Sequence, residues 1–331
     1  MPTSREGFEY TRHLFKEVLP SMTGGCHADV WLPLPDKIKA GRVPVGITYH
    51  GGAFTTADSQ HVFSGHLAYL LERGFAVVSL EYRMCPHVRL RAIRHDLLDG
   101  YRWVLHDLPG LYPALGLEPE RNFVFGGSAG GTAAMLVSVD AATAGLPLPK
   151  ANYVAYPLAD LNGRIFRDYT PYEEAIAALP KWARRKIDAL LFEPVSTAHD
   201  VWSEDGSSPR ATWASAAINS ASLNEFMTGH APPYPDIQNP VRLMDASFPP
   251  SVWVLAADDE LLDPQQTRDA HARLRDLGVE SKLVEAEGMP HGALEPGPGK
   301  DGWEERFWPY ALPALEFCVR KCEKRGWCWI Q

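Results

Sequence analysis

Residues 121–132 read RNFVFGGSAGGT: apolar and aromatic positions run into glycines around one serine, and small helix-forming residues follow. That order predicts a strand, a tight turn and a helix. Gly126-Gly127-Ser128-Ala129-Gly130 fits the G-x-S-x-G elbow, whose glycines let neighbouring backbone pass close while the serine is held strained with its hydroxyl exposed. Ser128 is the candidate nucleophile. The helix behind it would aim amide groups and a positive dipole end at the space above Ser128, where an oxyanion would form. Glycine-flanked serines also occur in ordinary turns, so the flanking chain has to decide.

Outward from the elbow, strand and helix signals alternate. Upstream, residues 43–49 (VPVGITY) are a compact β-branched run suited to a strand buried on both faces. A helix is expected over 64–73, stopped by Gly74, then a strand over 75–82 and an amphipathic helix over 90–108 closed by Pro109-Gly110. The elbow strand covers 122–125, its helix runs to about Thr143, and another strand covers 151–156. The rhythm resumes with a strand at 251–257, a helix at 265–277 ended by Gly278, and a strand at 281–286. A last helix, 303–324, is expected to be interrupted at Pro309 and Pro313, and an edge hairpin is expected within 8–32. Such alternation implies an α/β fold: a mostly parallel central sheet flanked by helices.

Between residues 158 and 248 the alternation stops. Prolines are scattered there, short helical runs appear at 172–179 and 182–192, and no strand signal is seen. So long a stretch inside an alternating fold reads as a helical cap over the catalytic end of the sheet. The expected division is a core of residues 1–157 and 248–331 with a cap insertion at 158–247. Trp182, Phe192, Trp202, Trp213, Phe226 and Tyr234 in that insertion carry enough aromatic area to roof an apolar pocket. Trp182 and Trp213, with Phe54 from the core, are the candidate substrate contacts.

A serine hydroxyl needs a base to take its proton, and that base needs a third group to orient it and to stabilise its charge. In a parallel sheet these must sit in loops at the carboxyl ends of strands. Asp259 follows the 251–257 strand in DDELLDP (258–264), and His291 follows the last strand in GMPHG (288–292). The chain order Ser128, Asp259, His291 is the one expected of the α/β-hydrolase architecture. Asp258 should face away, and Asp263, before Pro264, is placed to cap the next helix. The turn His50-Gly51-Gly52-Ala53-Phe54 just after a central strand can aim successive amides at one point. The expected oxyanion hole therefore comprises Gly52, Ala53 and the amide of Ala129, with Gly51 serving the turn, while His50 bonds the loop rather than substrate.

The 331 residues carry a net charge of -9, with 45% apolar and 22% charged residues, ordinary for a globular enzyme and opposed to nucleic acid or anionic membrane as partners. A small-molecule substrate is the expected partner, and a homodimer is left open. The N-terminal stretch MPTSREGFEYTRHLF lacks the apolar core of a secretory signal, and no apolar run is long enough to span a bilayer, so a cytoplasmic location is expected. Five cysteines, three of them Cys318, Cys322 and Cys328, match neither a disulfide framework nor a zinc site.

Together HGGAF (50–54), GGSAGG (126–131), DDELLDP and GMPHG resemble the hormone-sensitive-lipase-like branch of the α/β-hydrolases, which includes bacterial esterases, plant carboxylesterases and the gibberellin receptors. The segment Glu81-Tyr82-Arg83-Met84-Cys85-Pro86 is similar to that family's acidic-Tyr-Arg-x-x-Pro segment, and the helix bearing Asp96 follows it. The resemblance covers about residues 40–160 and 240–295. It implies serine esterase chemistry with no metal or organic cofactor and with Ser128, Asp259 and His291 at the triad positions. Three departures stand out: Ala53 replaces the family's third loop glycine, Gly127 stands where the family often has Asp, and the insertion is longer than usual.

Overall fold

The computed structural model describes residues 3–5, 8–38, 42–198, 208–293 and 302–323. The chain begins with three antiparallel strands, β1 (Thr3–Arg5), β2 (Phe8–Glu17) and β3 (Gly25–Trp31). Then follow β4 (Val43–Tyr49), α1 (Ser64–Glu72), β5 (Ala76–Leu80), α2 (Leu90–His106), a single turn α3 (Leu108–Leu111), β6 (Leu117–Gly127), α4 (Ala129–Thr143) and β7 (Asn152–Ala155). Among the described residues, the α-helices α5 (Tyr172–Ala177), α6 (Lys181–Leu190), α7 (Pro209–Asn219), α8 (Leu223–Thr228) and α9 (Pro240–Leu243) come next. The chain then returns to the sheet with β8 (Ser251–Ala256), α10 (Gln265–Asp276), β9 (Ser281–Ala286) and α11 (Trp303–Cys322).

The strands join in the order β1-β2-β3-β5-β4-β6-β7-β8-β9, and β4 to β9 pair in parallel. Every residue of β4, β5, β7 and β8 is buried, as a parallel sheet covered on both faces requires. The alternating side chains of one strand feed two separate cores. Val124 of β6 joins the layer built with α2 and α4, whereas Phe123 and Phe125 join the layer under α1 and α11.

Three local expectations are corrected. Pro109 and Gly110 do not end the helical path but sit inside α3, where Pro109 takes an early position that needs no amide donor. β6 starts at Leu117, well before the apolar run that signals it, because Val43 pairs with Leu117 across a register shift. α11 is continuous through Pro309 and Pro313. Both prolines are exposed and four residues apart, so the carbonyls they deprive of partners face water. The opposite face, with Phe307, Ala311, Ala314, Leu315 and Cys318 buried, holds the helix on the sheet.

The EYR segment after β5 is a knot of buried polar groups. Glu81 accepts the amide of His27 at 3.0 Å and the hydroxyl of Thr197 at 3.1 Å, and Tyr82 donates to the carbonyl of His50 at 2.9 Å. The Arg83 guanidinium clasps Asp96 of α2 through two bonds of 2.7 and 2.8 Å. The Tyr82 bond ties the start of the loop that carries residues 50–56. No helix among the described residues is long and apolar enough to cross a membrane.

Candidate active site

Glycines make the elbow sterically feasible. A Cβ on Gly126 would lie 2.5 Å from the carbonyl carbon of Gly130, and one on Gly130 would lie 2.1 Å from the Tyr49 oxygen. Helix α4 therefore starts in direct backbone contact with β4. Gly127 explains its own departure from the family pattern: a Cβ there would meet the Tyr156 hydroxyl at 2.8 Å, so the tyrosine ring fills the space an aspartate would need. Ser128 itself sits at φ 53°, ψ −125°, a conformation that L residues adopt only when the surroundings enforce it. Its amide is tied to the Ala155 carbonyl at 3.0 Å.

Three distant side chains meet at this point. Ser128 Oγ lies 2.9 Å from His291 Nε2, and His291 Nδ1 lies 2.7 Å from Asp259 Oδ2. A carboxylate only accepts, so Nδ1 carries the proton and Nε2 is left to accept from the serine. Asp259 is oriented by two amides, since its Oδ1 accepts from Leu261 at 2.9 Å and Leu262 at 2.8 Å. The rejected aspartates lie elsewhere: Asp258 is exposed, and Asp263 caps α10 by accepting the Gln265 amide at 2.9 Å. Tyr156 packs its ring edge against the imidazole, 5.3 Å between centroids. The His291 amide donates to Glu260 Oε2 at 3.2 Å, which pins the loop at its backbone.

Residues 50–54 turn sharply beside Ser128, with φ of 89° at Gly52, 54° at Ala53 and 58° at Phe54. Alanine at 53 therefore holds a left-handed conformation that glycine would take without cost. Ala53 and Ala129 both line the cavity above Ser128, and among the described residues neither amide donates to the protein. Gly51 and Gly52 do not line that cavity. Gly51 offers its carbonyl to His50 Nδ1 at 2.9 Å, and the Gly52 carbonyl accepts from Thr55 and Thr56, so both glycines shape the turn. His50 is buried and stacked on Tyr82, 4.3 Å between centroids. Burial lowers its pKa to about 4, so it is a neutral brace under the loop.

The cavity is lined by Ser128, His291, Ala53, Phe54 and Ala129 from the core and by Leu158, Ile165, Ala217, Ile218, Ala221, Leu223, Asn224, Met227, Leu261 and Leu262 around them. Phe54 is thus on the wall. The two tryptophans expected there are not. Trp213 is fully buried inside the helical segment, donating to the Tyr172 hydroxyl at 2.8 Å and packed on Phe226. Trp182 is 61% exposed on the outer face of α6, with Lys186 over its ring. Aromatic area announced a packed roof without saying which way each ring turns. Trp202 lies outside the described residues. The wall instead comes from small and aliphatic residues of α7 and α8, which individually carry no sequence signal.

Comparison with known proteins agrees with this architecture. A family model described as an alpha/beta hydrolase fold matches residues 47–203. Carboxyl esterase 2 of Tuber melanosporum superposes with a TM-score of 0.60 at 21% identity, covering 95% of this chain and 87% of that one. An esterase of Thermogutta terrifontis does so with a TM-score of 0.62 at 18% identity, covering 94% and 92%. The chain has the α/β-hydrolase fold, and its motifs are similar to those of the hormone-sensitive-lipase-like branch. Among curated proteins, it is 26% identical over 328 residues to the non-reducing polyketide synthase ascC of Acremonium egyptiacum. That match takes in 89% of this chain but spans only 15% of the synthase.

Proposed function

We propose that this chain is a serine hydrolase that cleaves a hydrophobic or aromatic small-molecule ester through an acyl-serine intermediate. The observation that carries the proposal is the unbroken Ser128-His291-Asp259 relay, with bonds of 2.9 and 2.7 Å, opening onto a nearly apolar cavity. Ser128 attacks the carbonyl carbon as its proton passes to His291 Nε2, and Asp259 stabilises the resulting imidazolium. The developing oxyanion is received by the amides of Ala53 and Ala129, with Gly52 setting the turn that aims the first of them. His291 then gives its proton to the departing alcohol and next takes one from the water that releases the acid.

A second reading concerns what accepts the acyl group. Similarity to non-reducing polyketide synthases over most of this chain favours a polyketide-type acyl compound and a place in secondary metabolism. In that case an intramolecular nucleophile can replace water, and a dry cavity supports transfer or cyclisation over hydrolysis.

Treatment with a fluorophosphonate should add its mass to Ser128, and Ser128→Ala should abolish both labelling and acyl-enzyme formation while leaving the fold unchanged. A panel of acyl esters, thioesters and lactones followed by mass spectrometry separates acid release from an isomerised product. Failure of the wild-type protein to label would overturn the catalytic reading and favour a binding module on the same fold.

A further inference from the structure

Among the described residues, the cavity wall carries one polar side chain that the chemistry above does not use. Asn224, the second residue of α8, is 2% exposed and lines the cavity together with Ser128. Its Nδ2 donates to the Leu161 carbonyl at 3.1 Å. A carbonyl can only accept, so the atom facing Leu161 is the amide nitrogen and the orientation of the side chain follows. Oδ1 is then the free end, and among the described residues nothing donates to it.

The lining side chains Leu158, Ile218, Leu223 and Met227 have no donor to give, so a hydrogen bond to this oxygen comes from whatever occupies the cavity. We infer that Asn224 is a specificity-determining residue, its Oδ1 accepting a hydrogen bond from a hydroxyl on the acyl group of the substrate. A neutral hydroxyl suits the site better than an ammonium, because among the described residues no carboxylate lines the cavity to offset the desolvation of a cation. The substrate class is therefore a hydroxylated aromatic or alicyclic acyl ester or thioester rather than a plain hydrocarbon acyl chain. This inference rests on the proposed acyl-serine chemistry for its turnover assay, and on binding alone for its control.

The test compares the N-acetylcysteamine thioesters of benzoic acid and of 2-, 3- and 4-hydroxybenzoic acid. One hydroxylated isomer should exceed the unsubstituted ring by about tenfold in kcat/KM, and Asn224→Leu should bring that ratio close to one. A merely structural Asn224 would lower both substrates together and leave the ratio where it was. In parallel, Ser128→Ala is titrated with methyl benzoate and the three methyl hydroxybenzoates by calorimetry, which reports the same preference without turnover. A wild-type ratio near one for every isomer, in turnover or in binding, would overturn the inference even where Asn224→Leu fails to fold. A hydroxyl preference in binding with no labelling of Ser128 would keep Asn224 and discard the catalytic reading, so the two failures are distinct.

Discussion

Ser128 is held by what its neighbours lack. Gly126 and Gly130 let α4 start against the β4 backbone, with the position of a Gly130 Cβ already taken by the Tyr49 oxygen at 2.1 Å. Gly130→Ala should therefore destabilise the fold by about 3 kcal/mol, read as a lowered midpoint in urea unfolding, because two backbones rather than a flexible side chain must give way. Gly145, where a Cβ would meet nothing within 4 Å, supplies the contrast, although its φ of 66° still strains an alanine. The elbow was legible in the sequence because its cause is local: glycine spacing around a serine encodes the turn. The positions of Asp259 and His291 were legible for a related reason, since only residues just after strands can reach the sheet edge. Trp182 and Trp213 were misread because ring direction depends on how α6 and α7 dock, which no spacing within either helix encodes.

At the scale of elements, the helices between β7 and β8 were the least legible part. α7 presents Ala211, Ala214 and Ala217 inward, small residues that scarcely register as an apolar stripe, and α8 is under two turns long. What seats α7 is Arg210, 1% exposed, whose guanidinium donates to the carbonyls of Cys85 and Thr55 and to His87 Nδ1. His87 in turn donates from Nε2 to the Leu190 carbonyl of α6 at 2.9 Å. One guanidinium thus joins two roof helices to the turn that bears Ala53. Burial lowers its pKa to about 10, so it remains charged at neutral pH. Arg210→Met leaves those acceptors unpaired and should cost about 3 kcal/mol in urea unfolding. It should also lower kcat/KM by roughly tenfold or more as the oxyanion turn loses its support. Stability lost without any change in kcat/KM would separate the roof from the turn.

Across the whole molecule, two fully buried histidines contribute to the response to acid. Burial lowers His66 to about 3 and His50 to about 4, and in the unfolded chain each would titrate near the ordinary value of about 6.5. The unfolded state therefore binds more protons than the native state between those limits. Stability is fully present above about pH 6.5 and falls toward pH 4 by about 1.4 kcal/mol per pH unit for each histidine. Urea unfolding between pH 4.5 and 7 should show this slope, and His66→Gln should remove about half of it. A slope that the substitution leaves unchanged would assign the acid sensitivity to other groups.

The cavity rim contains a small splice. Ile165 bridges to Leu262, the Phe166 amide reaches the Leu261 carbonyl at 2.9 Å, and the Asp263 amide reaches the Arg164 carbonyl at 3.1 Å. Leu261 and Leu262 are also the residues whose amides steady Asp259. Raising the roof far enough to admit a bulky guest thus tugs on the very turn that keeps the imidazole aligned. On the proposed chemistry, entry and reaction would then be successive events, and water arriving with the roof raised would meet a disarmed serine.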